Sequence, residues 1–155
     1  MEFNCKLEDL NKPIEHLREL LSEYIQNPSS HLAPIILLNG EMGSGKTTFT
    51  RHFIQSFQED LIVNSPTFNI FNRYKVGDML FFHFDLYRIK TLDEVYDMGF
   101  EEIWGFQGIS MIEWWSKARG FFREDSIFID IKWIDEETRK YKINRLIELE
   151  KTSLL

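Results

Sequence analysis

The alternation of apolar and polar positions divides the chain into short elements. Phe3, Cys5 and Leu7 alternate within residues 1–10 and predict an edge strand. Over residues 12–26, Ile14, Leu17, Leu21, Tyr24 and Ile25 fall on one helical face, with Pro13 in the first turn and Asn11 as the expected N-cap. Asn27-Pro28-Ser29-Ser30 ends that helix, and His31 belongs to the loop beyond it. The unbroken apolar run at 35–38 predicts a buried strand, and Phe49, Phe53 and Ile54 predict a helix soon after. Leu61-Ile62-Val63 reads as a short strand. Residues 69–75 and 79–86 read as two more, joined by the Val76-Gly77-Asp78 turn.

The second half continues in the same way. Thr91 with Glu94 three residues on has capping-box spacing and opens a short helix that stops near Gly99. Residues 109–112 form a third buried strand ending in Glu113, and a helix is expected to follow to about Phe122. Ile127, Ile129, Ile131 and Trp133 share one face of a strand over 126–133, which residues 135–138 turn into a returning strand around 141–143.

Between the apolar run at 35–38 and the helix behind it lies Gly40-Glu41-Met42-Gly43-Ser44-Gly45-Lys46-Thr47, followed by Thr48. This fits G-x-x-x-x-G-K-[ST] in the strand-to-helix context that gives the pattern its meaning. The glycines let the backbone approach an anion, and the helix N-terminus offers N–H groups carrying partial positive charge. Lys46 is placed to reach the β- and γ-phosphates of a nucleotide, and the Thr47 hydroxyl to ligate Mg²⁺. The expected architecture is α/β: a P-loop NTPase core with a mostly parallel sheet flanked by helices and antiparallel hairpin additions, in one domain over 1–155.

A phosphate-bound Mg²⁺ needs further oxygen ligands, typically a carboxylate at the end of a neighbouring strand. Asp85 and Glu113 each follow an apolar run, and His83 shares the strand face of Asp85. Asp85 is expected in the metal shell and Glu113 nearer the attacking water, although the spacing alone leaves the two roles interchangeable.

Composition narrows the partners. At 43% hydrophobic residues, the 155-residue chain has the means to bury a core. Cys5 is the single cysteine, so an internal disulfide is excluded and a reducing cytoplasm is expected. No apolar run suits a bilayer span, so no membrane partner is expected. The net charge of −7 disfavours direct grip on nucleic acid. The Thr138-to-Lys142 stretch, the longest near-basic one, sits beside Asp135, Glu136 and Glu137 and reads as a solvated hairpin.

Four blocks in this order resemble the TsaE (YjeE) family of bacterial P-loop ATPases: the Gly40-to-Thr48 loop, Ser65-Pro66-Thr67-Phe68, His83-Phe84-Asp85-Leu86-Tyr87-Arg88 and Ile112-Glu113-Trp114. Met98-Gly99-Phe100-Glu101-Glu102 also matches a block of that family, and the resemblance covers about residues 35–115. It implies an ATPase needed for N6-threonylcarbamoyladenosine in tRNA, working with a TsaB–TsaD pair in which TsaD transfers the threonylcarbamoyl group; with the net charge of −7, tRNA is expected to be reached only through such partners. It further implies that Thr67 lies in a switch-like loop near the γ-phosphate, that Asp85 and Glu113 serve the metal and the water, and that Trp114 lies near the nucleotide. Trp115 stands where the family often has Pro, and the N-terminal block is poorly matched.

Two other functions compete. A small-molecule kinase of the P-loop class should carry an arginine-bearing lid, and Arg119-Gly120-Phe121-Phe122-Arg123 is the only lid-like stretch. A nucleotide-gated binding module with negligible turnover is the third reading. The absence of an Asn-Lys-x-Asp motif favours ATP over GTP. Trp114-Trp115 and Phe121-Phe122 are either core or docking surface.

Overall fold

The computed structural model describes residues 1–29, 32–66 and 68–147. Its centre is one seven-stranded sheet built from β1 (Glu2–Lys6), β2 (Ile35–Asn39), β3 (Phe71–Val76), β4 (Met79–Asp85), β5 (Ile109–Glu113), β6 (Ile127–Trp133) and β7 (Thr138–Arg145), in the order β1-β7-β6-β2-β5-β4-β3. The pairs β6·β2, β2·β5 and β5·β4 are parallel. The β3–β4 and β6–β7 hairpins add antiparallel strands on both sides, and β1 closes one edge antiparallel to β7.

The continuous apolar run of β2 is explained by its position. Parallel neighbours flank it on both sides and helices or loops cover both faces, so no position along it faces water until Asn39. Alternation then sorts its side chains. Ile36 and Leu38 join one core with Leu10, Ile14, Leu17 and Leu21, and with Phe49, Phe53 and Ile54 of the helix after the glycine loop. Ile35 and Leu37 join the other core with Phe82, Phe84, Ile112, Val95, Phe100 and Trp104. In this second layer Phe84 lies 4.9 Å from Phe71, 5.2 Å from Phe100 and 5.5 Å from Trp104, ring centre to ring centre.

Four sequence-based expectations need correction. The first helix divides at Leu21 into α1 (Asn11–Leu20) and α2 (Ser22–Gln26), although Leu21 N–H still donates to Leu17 O and Ile25 N–H to Leu21 O. The hydrophobic face therefore continues across the break. Asn11 is not the cap: it lies inside the helix, and its Nδ2 donates to Asp9 Oδ1 at 3.0 Å. Residues 61–63 form no strand. Their carbonyls are taken by side chains of α3 (Lys46–Gln55), Arg51 donating to Val63 O and Gln55 to Leu61 O. A segment held this way has no free ladder to offer.

The fourth concerns type: the helix expected after β5 is present over Trp115–Phe121, but as 3₁₀ turns. Ala118 breaks its regularity with φ −128°. The aromatic side chains there are packed, not a free lid: Phe121 meets Tyr96 and Trp104, while Phe122 meets Trp104 and Trp115. The expected Thr91 cap is present on α4 (Leu92–Asp97), its Oγ1 accepting from Glu94 N–H at 3.4 Å. No described helix is long and apolar enough to cross a membrane.

Candidate functional site

The parallel register brings the chemistry-bearing residues to one end of the sheet. Leu38 lies opposite Glu113, Glu113 opposite Asp85, and Asn39 opposite Asp130, so the carboxyl ends of β2, β4 and β5 are level, with the middle of β6 beside them. In open α/β sheets ligands bind at this end. The glycine loop leaves β2 here and turns directly into α3.

Two glycines in the loop cannot carry a side chain. A Cβ on Gly40 would lie 2.7 Å from the Ile131 carbonyl and 2.5 Å from Ser44 Oγ, and its φ is +150°. Gly45, with φ +106°, caps α3, and a Cβ there would meet Leu7 at 2.6 Å. Edge strand β1 thus runs its chain up against the loop. Ser44 is 1% exposed, and its hydroxyl has no hydrogen-bond partner among the described residues. The loop closes on itself through Ser44 N–H to Glu41 O, and Phe49 N–H to Gly45 O starts the helix.

Lys46 folds back across this loop. Its Nζ donates to Gly40 O at 2.8 Å and Glu41 O at 2.9 Å and lies 4.8 Å from the centre of the Trp114 ring. Burial pushes the ammonium pKa down, while Glu113 and Asp85 pull it back up. A cation held only by two carbonyls and a ring face is well suited to exchange them for anionic oxygens.

Glu113 is the hub of the site. Thr47 Oγ1 donates to its Oε1 at 2.8 Å, and His83 Nε2 lies 2.8 Å from the same oxygen. Both His83 and Glu113 are buried. With Nε2 as the donor of this contact, His83 holds the carboxylate in place. His83 shares the strand face of Asp85, and its hydrogen bond runs across the sheet to Glu113, because β4 and β5 are adjacent.

Asp85 has a different engagement. Its Oδ1 accepts from Tyr87 N–H at 3.0 Å, capping the 3₁₀ turn Leu86–Arg88. Burial raises its pKa, the Tyr87 hydrogen bond opposes that, and Glu113 raises it further. Trp114, directly after Glu113, adopts φ +57°, the one positive φ of a non-glycine residue among the described residues. That unusual backbone places its ring between Lys46 and Tyr87, whose ring is 5.1 Å away. Lys117 secures Tyr87 from outside by donating to the carbonyls of Tyr87 and Ile89.

The remaining expected residues divide. Gly43, Met42, Glu41 and Thr48 belong to the loop and first helical turn, with Met42 largely exposed. Thr67 lies outside the described residues. Its neighbour Phe68 is 92% exposed, and Asn64 before the turn is held to β3, Tyr74 Oη donating to its carbonyl at 3.0 Å. Arg88 is exposed to solvent. Beside the loop a cleft of about 640 Å³ opens between Met42, Trp114, Asp130 and Trp133.

Arg139 was missed. The Thr138-to-Lys142 stretch lies in β7 of the β6–β7 hairpin, but it is not wholly solvated: Arg139 is 2% exposed. The available signal was parity: Arg139, Tyr141 and Ile143 alternate, and all three face inward. Its Nε donates to Ser44 O in the glycine loop at 3.2 Å.

The donor set fits a hard cation only in part. Among the described residues no three His, Cys, Asp or Glu side chains gather to hold a metal. A threonine hydroxyl and a carboxylate side by side fit Mg²⁺, which keeps most of its ligands as water and phosphate oxygens.

A family model described as threonylcarbamoyl adenosine biosynthesis protein TsaE matches residues 8–142. The chain is 38% identical over 106 residues to the tRNA threonylcarbamoyladenosine biosynthesis protein TsaE of Rickettsia felis, covering 68% of this chain and 61% of that protein. It is 35% identical over 104 residues to the protein of that name from Haemophilus influenzae, covering 67% and 66%. The match to the Bacillus subtilis protein is 35% over 106 residues, covering 68% and 66%. The matched segment thus spans just under two thirds of these relatives' length. A crystal structure of Bacillus subtilis YdiB superposes with TM-score 0.64 at 22% identity, over 99% of this chain and 93% of that one, and shares the fold. With the family model spanning most of its length, the chain belongs to the TsaE family.

Proposed function

We propose that this protein binds and hydrolyses MgATP in the biosynthesis of threonylcarbamoyladenosine in tRNA, as a single-domain cytoplasmic partner of a TsaB–TsaD-like pair. The observation that carries the site is the contact between Thr47 Oγ1 and Glu113 Oε1, which ties the glycine loop to the end of β5 beside Lys46. The biological setting comes from the family and from the names of the relatives.

The residues divide the work as follows. Gly45, Lys46, Thr47 and Thr48 present main-chain N–H groups of the first helical turn to the phosphates, and Lys46 moves its ammonium from the loop carbonyls to phosphate oxygens. Thr47 and Glu113 hold Mg²⁺, directly or through its water, which reverses the order of the two acids expected from sequence. When bound, Mg²⁺ supplies positive charge against the β- and γ-phosphate oxygens. Asp85 keeps one oxygen on Tyr87 N–H and offers the other to orient the attacking water. Trp114 shields the Lys46 side of the site from bulk water and, with Met42 and Trp133, frames the cleft where the base lies. Thr67, by the family resemblance, senses the γ-phosphate.

At a net charge of −7, tRNA is held by the partner proteins rather than by this chain. The kinase reading loses its lid, since Phe121 and Phe122 are packed against Trp104. The test is phosphate release from MgATP with and without a purified TsaB–TsaD pair. Slow release that the pair accelerates is expected. Transfer of the γ-phosphate to a small acceptor, or turnover indifferent to the pair, would overturn the reading.

A further inference from the structure

Arg139 reaches the glycine loop from a strand that carries none of the recognised motifs. Its Nε donates to Ser44 O, and its Nη1 donates to Asp135 O at 2.6 Å and Thr138 O at 2.9 Å. The guanidinium carbon lies 3.4 Å from the centre of the Trp133 ring, and Trp133 lines the cleft beside the loop. Among the described residues the hydrogen bonds of this buried cation all end on main-chain carbonyls, and it forms no ion pair.

A carbonyl and the N–H of the same peptide point in opposite directions when the bond is trans, and no cis bond is present here. With the Ser44 carbonyl turned to Arg139, the N–H of Gly45 points away from it, at the start of α3. A hydrogen bond from a cation to the carbonyl also polarises the peptide, which strengthens the N–H as a donor. The Ser44 side-chain hydroxyl is buried without a hydrogen-bond partner among the described residues, so it does not compete for this peptide.

We infer that Arg139 is a positioning residue for the phosphate loop: it fixes and polarises the Ser44–Gly45 peptide, making the Gly45 N–H a phosphate donor. The inference rests on the reading of the loop as a nucleotide site. Arg139 itself touches no ligand, and its stacking on Trp133 couples the base side of the site to the phosphate side.

The experiment compares wild type, Arg139→Gln and Arg139→Lys, with folding monitored by circular dichroism. Affinities are measured for adenosine, ADP and inorganic tripolyphosphate, and the Gly45 amide proton is followed by NMR without ligand. Losing one charge-assisted contact should weaken ADP and tripolyphosphate about ten-fold in Arg139→Gln, with adenosine unchanged. Arg139→Lys, which keeps the charge but not the fork, should fall between, and its Gly45 amide proton should move upfield. That NMR comparison decides the matter even if Arg139→Gln does not fold. Unchanged ADP affinity in Arg139→Gln, equal weakening of adenosine and ADP, or an unmoved Gly45 amide would overturn the role of Arg139 alone. Failure of the wild type to bind ADP or tripolyphosphate would overturn the nucleotide reading as well.

Discussion

Replacing His83 tests whether Glu113 acts through a fixed carboxylate. His83 Nε2 lies 2.8 Å from Glu113 Oε1, with side-chain exposures of 0% and 5%. Water therefore cannot stand in for the lost donor in His83→Leu. A hydrogen bond to a charged group contributes roughly 1.5–3 kcal/mol. Its removal leaves Thr47 as the remaining donor seen on Oε1 and frees the carboxylate to rotate away from the loop. Outer partners of metal-binding groups are typically worth 10- to 100-fold in metal affinity or activity. His83→Leu should accordingly release phosphate about 10- to 100-fold more slowly at limiting Mg²⁺, with part of the loss recovered at high Mg²⁺. His83→Gln, which retains an amide donor, should recover much of the activity. The assay is phosphate release over a Mg²⁺ titration, with thermal unfolding measured in parallel. Wild-type rates and Mg²⁺ dependence in a folded His83→Leu protein would refute the reasoning.

Gly40→Ala should lose nucleotide binding and destabilise the fold by about 1–3 kcal/mol, read by ADP titration and urea unfolding, because its Cβ would sit 2.7 Å from the Ile131 carbonyl. Phe84→Ala should cost about 3–5 kcal/mol in urea unfolding, since the ring is fully buried among Phe71, Phe100 and Trp104. Asp85 gives a pH prediction. Its pKa is raised by burial, so its contribution to stability is full below the ordinary 3.8 and is lost as pH rises through the raised value. Asp85→Asn, which keeps an oxygen for Tyr87 N–H, should therefore melt above wild type at neutral pH, converge with it in acid, and hydrolyse ATP more slowly.

The parts of the molecule legible in the sequence are those where one local rule dominates. The run at 35–38 read as a buried strand, and the glycines and Lys46 after it carry a spacing that the loop geometry demands. Glu113 was visible as an acid at a strand end, but its bond to His83 depends on β4 and β5 being neighbours, which no local pattern states. The strand expected at 61–63 failed because Arg51 and Gln55, far along a helix, claim its carbonyls. Arg139 was hidden by its company. A basic residue among Lys140, Lys142 and three acids reads as solvent-facing until strand parity is weighed above charge.

The most direct test of the central claim compares wild type with Lys46→Ala for MgATP binding and phosphate release under identical conditions. Lys46 lies beside Glu113 and Trp114 and bonds only loop carbonyls among the described residues, so its loss should spare the fold. Wild type is expected to bind MgATP and release phosphate, and Lys46→Ala to lose roughly 1.5–3 kcal/mol of binding, about 10- to 100-fold or more, at an unchanged melting temperature. Equal binding and equal phosphate release by the two proteins would contradict the assignment.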